Sequence, residues 1–297
     1  MRNVKDMLKL SELNIVESKD ELRGIPEGKV LINTINAHSY NVAQKDKAFA
    51  EALAKGDYLI PDGASVVKAC RLLKGKSQPK ERIAGWDLFS FEMDALERKS
   101  EKREVNSEKC LKVMFMGSSE KVLGLIRERA AKDYPNLEVV TYSPPYKPEF
   151  SDEDNADIIK AINEADPDLL WIGMTAPKQE KWTYRHWGEL DIHCHVGTIG
   201  AVFDFYAGTA QRAPLWWQEH SLEWLYRLVK EPRRMWRRYV IGNPLFLWNI
   251  GREKTPSDSP KTLSDSPKTP SDSPCLGGGV RCEGRTSVHK KCQSDIA

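Results

Sequence analysis

Asp62 stands in the tetrapeptide IPDG, directly after a short apolar run and directly before a helical pattern. In open α/β sheets ligands bind beyond the carboxyl ends of the strands, so a carboxylate at that junction is placed to act as a general base on a hydroxyl. The competing reading is local, because Asp is also a favoured helix N-cap. Thr34, Asn36 and His38 come from NTINAH, at the end of an earlier apolar run. Alternate strand positions share a face, so the spacing predicts that the three point into one crevice. Their alternative is turn chemistry, since Asn and Thr bond local backbone. Gly117-Ser118-Ser119 again follows a strand-like run and opens a helix, where backbone N–H groups can hold a phosphate. TAPKQE at 175–180 repeats that arrangement, with Pro177 suited to a first helical turn and Lys178 and Gln179 within reach of a nucleotide or a sugar. Ordinary capping accounts for the Pro and the Glu equally well.

Metal chemistry finds little support. Asp152-Glu153-Asp154 and Asp166-Pro167-Asp168 match the Asp-x-Asp of metal-dependent group transfer. The first reads as an acidic helix start, favoured by the helix dipole. The second precedes its strand, the wrong end for a ligand. Cys275, Cys282, Cys292 and His289 lack the paired C-x-x-C of common zinc sites. Cys70, Cys110 and Cys194 are scattered singly in apolar contexts, as buried reduced thiols are. No metal and no cofactor is expected.

The positive charge is concentrated. Between Leu225 and Arg252 lie Arg227, Lys230, Arg233, Arg234, Arg237, Arg238 and Arg252 against the single acid Glu231, on a chain whose formal net charge is only +2. Five of the nine tryptophans fall between Pro214 and Ile250. Basic helices bearing Trp and Leu suit an anionic membrane surface, where each basic residue contributes ~1 kcal/mol. The same cations could hold a diphosphate. A core-packed helix pair with solvated arginines is the plain alternative. No basic stripe runs through the rest of the chain, so nucleic acid is not an expected partner.

The elements that must position these residues alternate. Strand-like runs at 29–36, 58–60, 111–117, 137–142, 168–174 and 192–196 are separated by helical patterns, including one continuous pattern over 39–55 and others at 64–73, 83–97, 120–132 and 152–165. Residues 98–109 read as a charged connector. Such succession predicts an α/β fold: a mostly parallel, Rossmann-like sheet with helices on both faces, followed by a basic, aromatic helical element. The expected division is 1–210 for the α/β core, 211–253 for the Arg/Trp-rich membrane-associating element and 254–297 for a disordered tail. That tail carries the repeat TPSDSPK, TLSDSPK, TPSDSP and a Gly-rich stretch, too polar to offset its ordering entropy. With 40% hydrophobic and 30% charged residues, the 297-residue chain is ordinary globular material, and no apolar run reaches the ~18 residues of a membrane span. The N-terminus is broken by charge every few positions, unlike a signal peptide. A cytosolic protein is expected.

Taken together and in order, NTINAHSYNVA, IPDGASVVKACRLLKG, RIAGWDLF, MGSSE, IGMTAPKQEKW, VGTIGAVFDFYAGTAQRAPLW and LEWLYRLVKEPRRMWRRY resemble the WecG/TagA/CpsF glycosyltransferase family over about residues 30–247. The resemblance implies an inverting enzyme, independent of Asp-x-Asp metal binding. It would transfer a sugar from a UDP-sugar, typically of the N-acetylmannosamine type, to a polyprenyl-diphosphate-linked acceptor sugar in teichoic-acid-type or other cell-surface polysaccharide synthesis. It implies a peripheral position at the inner face of the cell membrane. It puts the catalytic base on Asp62, the substrate pocket on Thr34 and Asn36, the glutamine of PKQE on Gln179, and the basic membrane element on Arg227, Arg234 and Arg237, with Arg233 and Arg238 beside them. Glucose or N-acetylmannosaminuronic acid as donor sugar stays open, as does a homo-oligomer. Two other classes compete. An α/β oxidoreductase would carry a glycine fingerprint after its first strand, and NTINAH has no glycine. A non-enzymatic membrane-surface module would make the residues at the strand ends dispensable.

Overall fold

Six short runs of β-branched and large apolar residues form the strands of a computed structural model, which describes residues 8–102, 110–220 and 222–254, with only the backbone of Leu215, Glu219 and Arg234. They are β1 (Val30–Ile35), β2 (Tyr58–Pro61), β3 (Leu111–Gly117), β4 (Leu137–Tyr142), β5 (Leu169–Gly173) and β6 (His195–Thr198). All pairs are parallel and the order is β2-β1-β6-β5-β3-β4. The helices between them are α1 (Lys19–Leu22), α2 (Ala37–Ala43), α3 (Lys47–Ala54), α4 (Ala64–Leu73), α5 (Gly85–Glu101), α6 (Glu120–Asp133), α7 (Asp152–Ala165), α8 (Lys178–His186) and α9 (Gly200–Tyr206).

Parallel sheets must be covered on both faces, and the pleat shows how this one is. In β5, Leu169 and Trp171 join a core with Phe89 and Met93 of α5, Leu123 and Ile126 of α6, and Phe203 of α9. Leu170 and Ile172 point the other way, to Ile158 and Ile162 of α7 and Trp182 of α8. The α/β class, the parallel sheet and the two helical layers expected from the sequence are therefore present.

Boundaries moved where local chemistry overrides periodicity. The pattern over 39–55 is two helices, because Asp46 interrupts it and caps α3 by accepting the Phe49 N–H at 3.0 Å. Helix α5 extends to Glu101 through part of the expected connector. Strand β6 begins at His195, three residues late. Cys70 and Cys194 are buried as expected, but Cys110 is exposed. The acidic run 152–154 is a helix start: Ser151 and Asp154 form a capping box for α7. Asp168 accepts the Lys112 N–H at the N-terminal end of the sheet.

The chain closes with α10 (Leu215–Glu219), α11 (Glu223–Lys230), α12 (Pro232–Trp236), a π-helical turn (Arg237–Ile241) and α13 (Gly242–Lys254). Helix α13 returns to the sheet: Phe246 and Ile250 are buried against Ile35, Tyr40 and Ala69. Glu253 accepts bonds from Leu10 N, Ser11 N and the Tyr40 hydroxyl at 3.0, 2.7 and 2.7 Å. The described residues belong to one compact unit, Met1–Ser257; the Ser-Asp-Pro repeat lies outside the described residues.

Gly117 ends β3 at φ +120°, and a Cβ there would lie 2.3 Å from the Gly173 carbonyl oxygen of β5. Two conditions thus require glycine at that junction, whereas Gly124 within α6 has open space around it. Gly117→Ala is expected to lower stability by ~2 kcal/mol or more. Gly124→Ala should raise it by ~0.5–1 kcal/mol. Urea unfolding followed by circular dichroism measures both; equal effects would refute the close-approach argument.

Candidate active site

Asp62 follows β2, and its backbone N–H is tied to Ile35 O of β1 at 2.8 Å. It stands one residue before the α4 N-cap, which is Gly63 and makes no side-chain cap bond. Its side chain keeps 32% exposure. Burial pushes the carboxyl above the usual aspartate value; Arg82 opposes this, Glu223 adds to it, and Arg227 and Arg238 oppose it. Arg82 Nε is 3.8 Å from Asp62 Oδ1, beyond a hydrogen bond, and has no partner of its own.

Around that carboxyl several distant segments meet. Arg82, just before α5, donates through Nη2 to Glu223 Oε2 at 2.7 Å. Arg227, one turn along α11, donates to Glu223 Oε1 at 2.9 Å and lies over the Phe205 ring at 4.9 Å. Arg212 lies over Trp86 at 5.4 Å; burial holds its guanidinium below the usual arginine value, with Glu223, Asp87 and Asp62 opposing and Arg82 adding to the effect. Arg238 reaches both Asp62 and His38 electrostatically. The site is a half-buried acid surrounded by guanidinium groups and wet on one side.

The β1 residues share this corner. Asn36 caps α2, its Oδ1 accepting from His38 N and Ser39 N at 3.0 Å each, so the turn reading holds for that oxygen. A Cβ on Gly63 would lie 3.8 Å from Asn36 Cβ, which puts Asn36 directly beside the Asp62 loop. Thr34, half-buried, is in register with Ile60 of β2. The strand ends at Ile35, so alternation does not extend to His38; that residue is exposed in the first turn of α2, where burial and then Arg238 hold its imidazole below the ordinary value.

Four other expected site residues lie further along the same sheet edge. Strand β5 is three positions from β2 and β3 is four, roughly 14 and 19 Å at normal strand spacing. Gly117 and Ser118 both have positive φ, and Ser118 O accepts from Ser143 Oγ at 2.8 Å. Consecutive amides in such a turn, next to the α6 N-terminus, can face an anion. Gln179 is buried and fully engaged: Oε1 accepts from Met174 N at 3.1 Å and Nε2 donates to Glu180 Oε1 at 2.9 Å. It braces the loop after β5. Burial pushes Glu180 up to about 7, and its Oε2 has no partner. Lys178 donates to Lys147 O at 2.6 Å and lies 3.4 Å from the Phe150 ring centroid.

In the basic element, Arg227 is inside the cluster, Arg237 is exposed, and the Arg234 side chain lies outside the description. Arg238, one residue beyond Arg237, reaches Asp62 by its charge, as Arg227 does. Arg82, Arg212 and Glu223 carry no sequence signal of their own. All three do fall within motif runs: Arg82 in RIAGWDLF, Arg212 in VGTIGAVFDFYAGTAQRAPLW and Glu223 in LEWLYRLVKEPRRMWRRY.

The profile of the Glycosyl transferase WecG/TagA/CpsF family matches residues 7–259. The N-acetylglucosaminyldiphosphoundecaprenol N-acetyl-beta-D-mannosaminyltransferase of Bacillus subtilis (strain 168) is 29% identical over 224 residues, 75% of this chain and 80% of its own length. The enzyme of the same name from Bacillus spizizenii is 28% identical over 251 residues, 84% and 90% of the two chains. That from Staphylococcus aureus (strain MW2) is 28% identical over 226 residues, 76% and 81%. A family match of this extent, on a parallel α/β sheet with an acid at a strand end, makes the chain a glycosyltransferase of the WecG/TagA/CpsF family.

Proposed function

We propose that this glycosyltransferase moves an N-acetylmannosamine-type sugar from a UDP-sugar to a polyprenyl-diphosphate-linked acceptor sugar, with inversion, without a metal, and with Asp62 as general base. The observation that carries the reading is the Asp62 carboxyl: raised in proton affinity, open on one side, and bonded by none of the described arginines around it. A carboxylate locked in a bidentate arginine pair would be a weak base. The names of the relatives, N-acetyl-beta-D-mannosaminyltransferases acting on N-acetylglucosaminyldiphosphoundecaprenol, support that choice of donor sugar and acceptor.

The acceptor hydroxyl gives its proton to Asp62 as its oxygen attacks the anomeric carbon. The carbon–oxygen bond to UDP breaks on the opposite face, and the electron pair leaves with the diphosphate. That charge needs preorganised positive partners. Arg82, Arg212, Arg227 and Arg238 stand around the base, and the Gly117–Ser118 turn offers backbone amides along the same edge. Thr34, Asn36 and His38 would line the pocket, and Lys178 and Gln179 would shape its far end. Arg234 and Arg237 extend the same basic element.

The acceptor's lipid puts the reaction at a membrane surface, here the inner face of the cell membrane. Among the described residues no helix is long and apolar enough to cross a bilayer. The C-terminal elements instead expose Trp216, Val229, Trp236, Ile241, Leu247 and Trp248. Exposed aromatics interleaved with exposed arginines suit the headgroup region of an anionic bilayer.

Asp62→Asn should cut turnover by about 10²–10⁴ while donor binding persists, as read by UDP release and by donor calorimetry. The wild-type rate should rise with pH through a value above the ordinary aspartate range, and that limb should vanish in the variant. Near-normal turnover would exclude Asp62 as base. Incubating the enzyme with a panel of UDP-sugars and a soluble lipid-diphosphate-GlcNAc analogue should give product from the N-acetylmannosamine donor; product from glucose or uronic acid donors alone would reassign the substrate. Replacing Trp236 and Trp248 with Ser should weaken sedimentation with anionic vesicles at least roughly tenfold, with turnover of the soluble acceptor retained. Unchanged vesicle binding would reject this docking surface.

A further inference from the structure

We infer that Glu223 is a positioning residue for the base: by holding Arg82 through Oε2 and Arg227 through Oε1, it keeps the Arg82 guanidinium beside Asp62 without letting it bond there. The inference rests on the reading of Asp62 as general base and concerns what keeps that base usable.

The geometry is specific. Glu223 begins α11 and is 8% exposed. Its two oxygens are both taken, at 2.7 Å by Arg82 Nη2 and at 2.9 Å by Arg227 Nη2. Arg82 is anchored at its tip, so its Nε stops 3.8 Å from Asp62 Oδ1 and stays without a partner. A buried N–H left unpaired next to a carboxylate is unfavourable and persists only where something else fixes the guanidinium. Glu223 is the group that does so. Freed from it, Arg82 would close on Asp62 and form the paired bond that guanidinium and carboxylate favour. The base would then be quenched by its own neighbour.

Glu223 also acts through charge. Burial alone would push its carboxyl up, but Arg227, Arg82 and Arg212 bring it below the ordinary value, so it is ionised at working pH. That negative charge raises the proton affinity of Asp62, while Arg82, Arg227 and Arg238 lower it. Further titratable neighbours are Asp87, which faces Arg82 and Arg212 and pairs with Lys19 at 3.4 Å, and His38, which faces Arg238. Glu223 is the acid among them that works on Asp62 in favour of basicity.

Two variants of opposite sign test this. Glu223→Gln removes the charge and loosens Arg82, so the acid limb of kcat/KM should move down by about one pH unit, with turnover at pH 7 reduced about tenfold or more. Arg227→Gln removes a positive charge from the same surroundings but leaves Glu223 to hold Arg82, so the limb should move up, whatever happens to KM. Glu223→Asp keeps the charge and should restore much of the loss. Thermal melts show whether each variant is folded; if Glu223→Gln does not fold, the upward shift in Arg227→Gln and the recovery in Glu223→Asp carry the test. Lost activity with an unmoved limb in both variants, or a wild-type profile in Glu223→Gln, overturns the inference. Asp62→Asn measured in parallel separates the two claims. Normal turnover there fails the base itself, whereas abolished turnover with unmoved limbs fails only Glu223.

Discussion

A carboxyl group surrounded by guanidinium groups but bonded to none of the described ones is the constraint on which this site depends. Three conditions maintain it. Burial raises the proton affinity of Asp62, the tip of Arg82 is tied to Glu223, and the Asp62 backbone is tied to β1 through Ile35 O. Charges a few ångströms apart in a partly dry pocket interact far more strongly than on the surface. A base and its counter-charges can therefore share a pocket only if something holds them apart. In the proposed mechanism positive charge is needed for a departing diphosphate and the acid must remain free to take a proton; the inferred Glu223 bridge would reconcile the two.

The sheet explains why such a site arises at this edge. In a parallel sheet the strand ends all face one way, and the loops that follow them are collected along one rim. Strand β3 leads outward to β4, and β1 leads outward to β2, while β5 and β6 fill the centre. The connections from β1 and β3 therefore run to opposite sides of the sheet. Gly117 lets β3 approach β5 within contact of the Gly173 backbone, and Gln179 braces the β5 loop against Met174. Both contacts fix the backbone along that rim, and the Gln179 side chain is spent on the loop.

Much of the fold was legible because apolar runs and helical spacing report burial directly. Asp62 was legible too, since IPDG lies between a strand signal and a helix signal. Boundaries failed where a single polar side chain decides them: Asp46 splits one apolar stripe into α2 and α3 without altering the stripe. The strand alternation used for His38 does not extend past Ile35, where Asn36 caps a helix. The Asp62 cluster resisted reading for a different reason. Arg82, Arg212 and Glu223 come from segments separated by up to 141 positions, and no spacing rule joins them. A charge tally that begins at Leu225 also omits Glu223, whose sign is opposite to everything it touches at close range.

Counting cations in the C-terminal element treats them as equivalent, and their exposure shows that they are not. Arg227 and Arg238 are partly buried, and Arg227 is engaged with Glu223 and the Phe205 ring. Arg233, Arg237 and Lys230 are exposed. Charges of the second kind are screened over about 8 Å at physiological ionic strength and suit an anionic surface. Charges of the first kind keep their strength against a single buried group and suit a leaving diphosphate. On the proposed function, one short stretch of sequence would thus serve two electrostatic roles. What separates them is how deeply each side chain is buried, and α13 closes the element by burying Phe246 and Ile250 in the same core as β1.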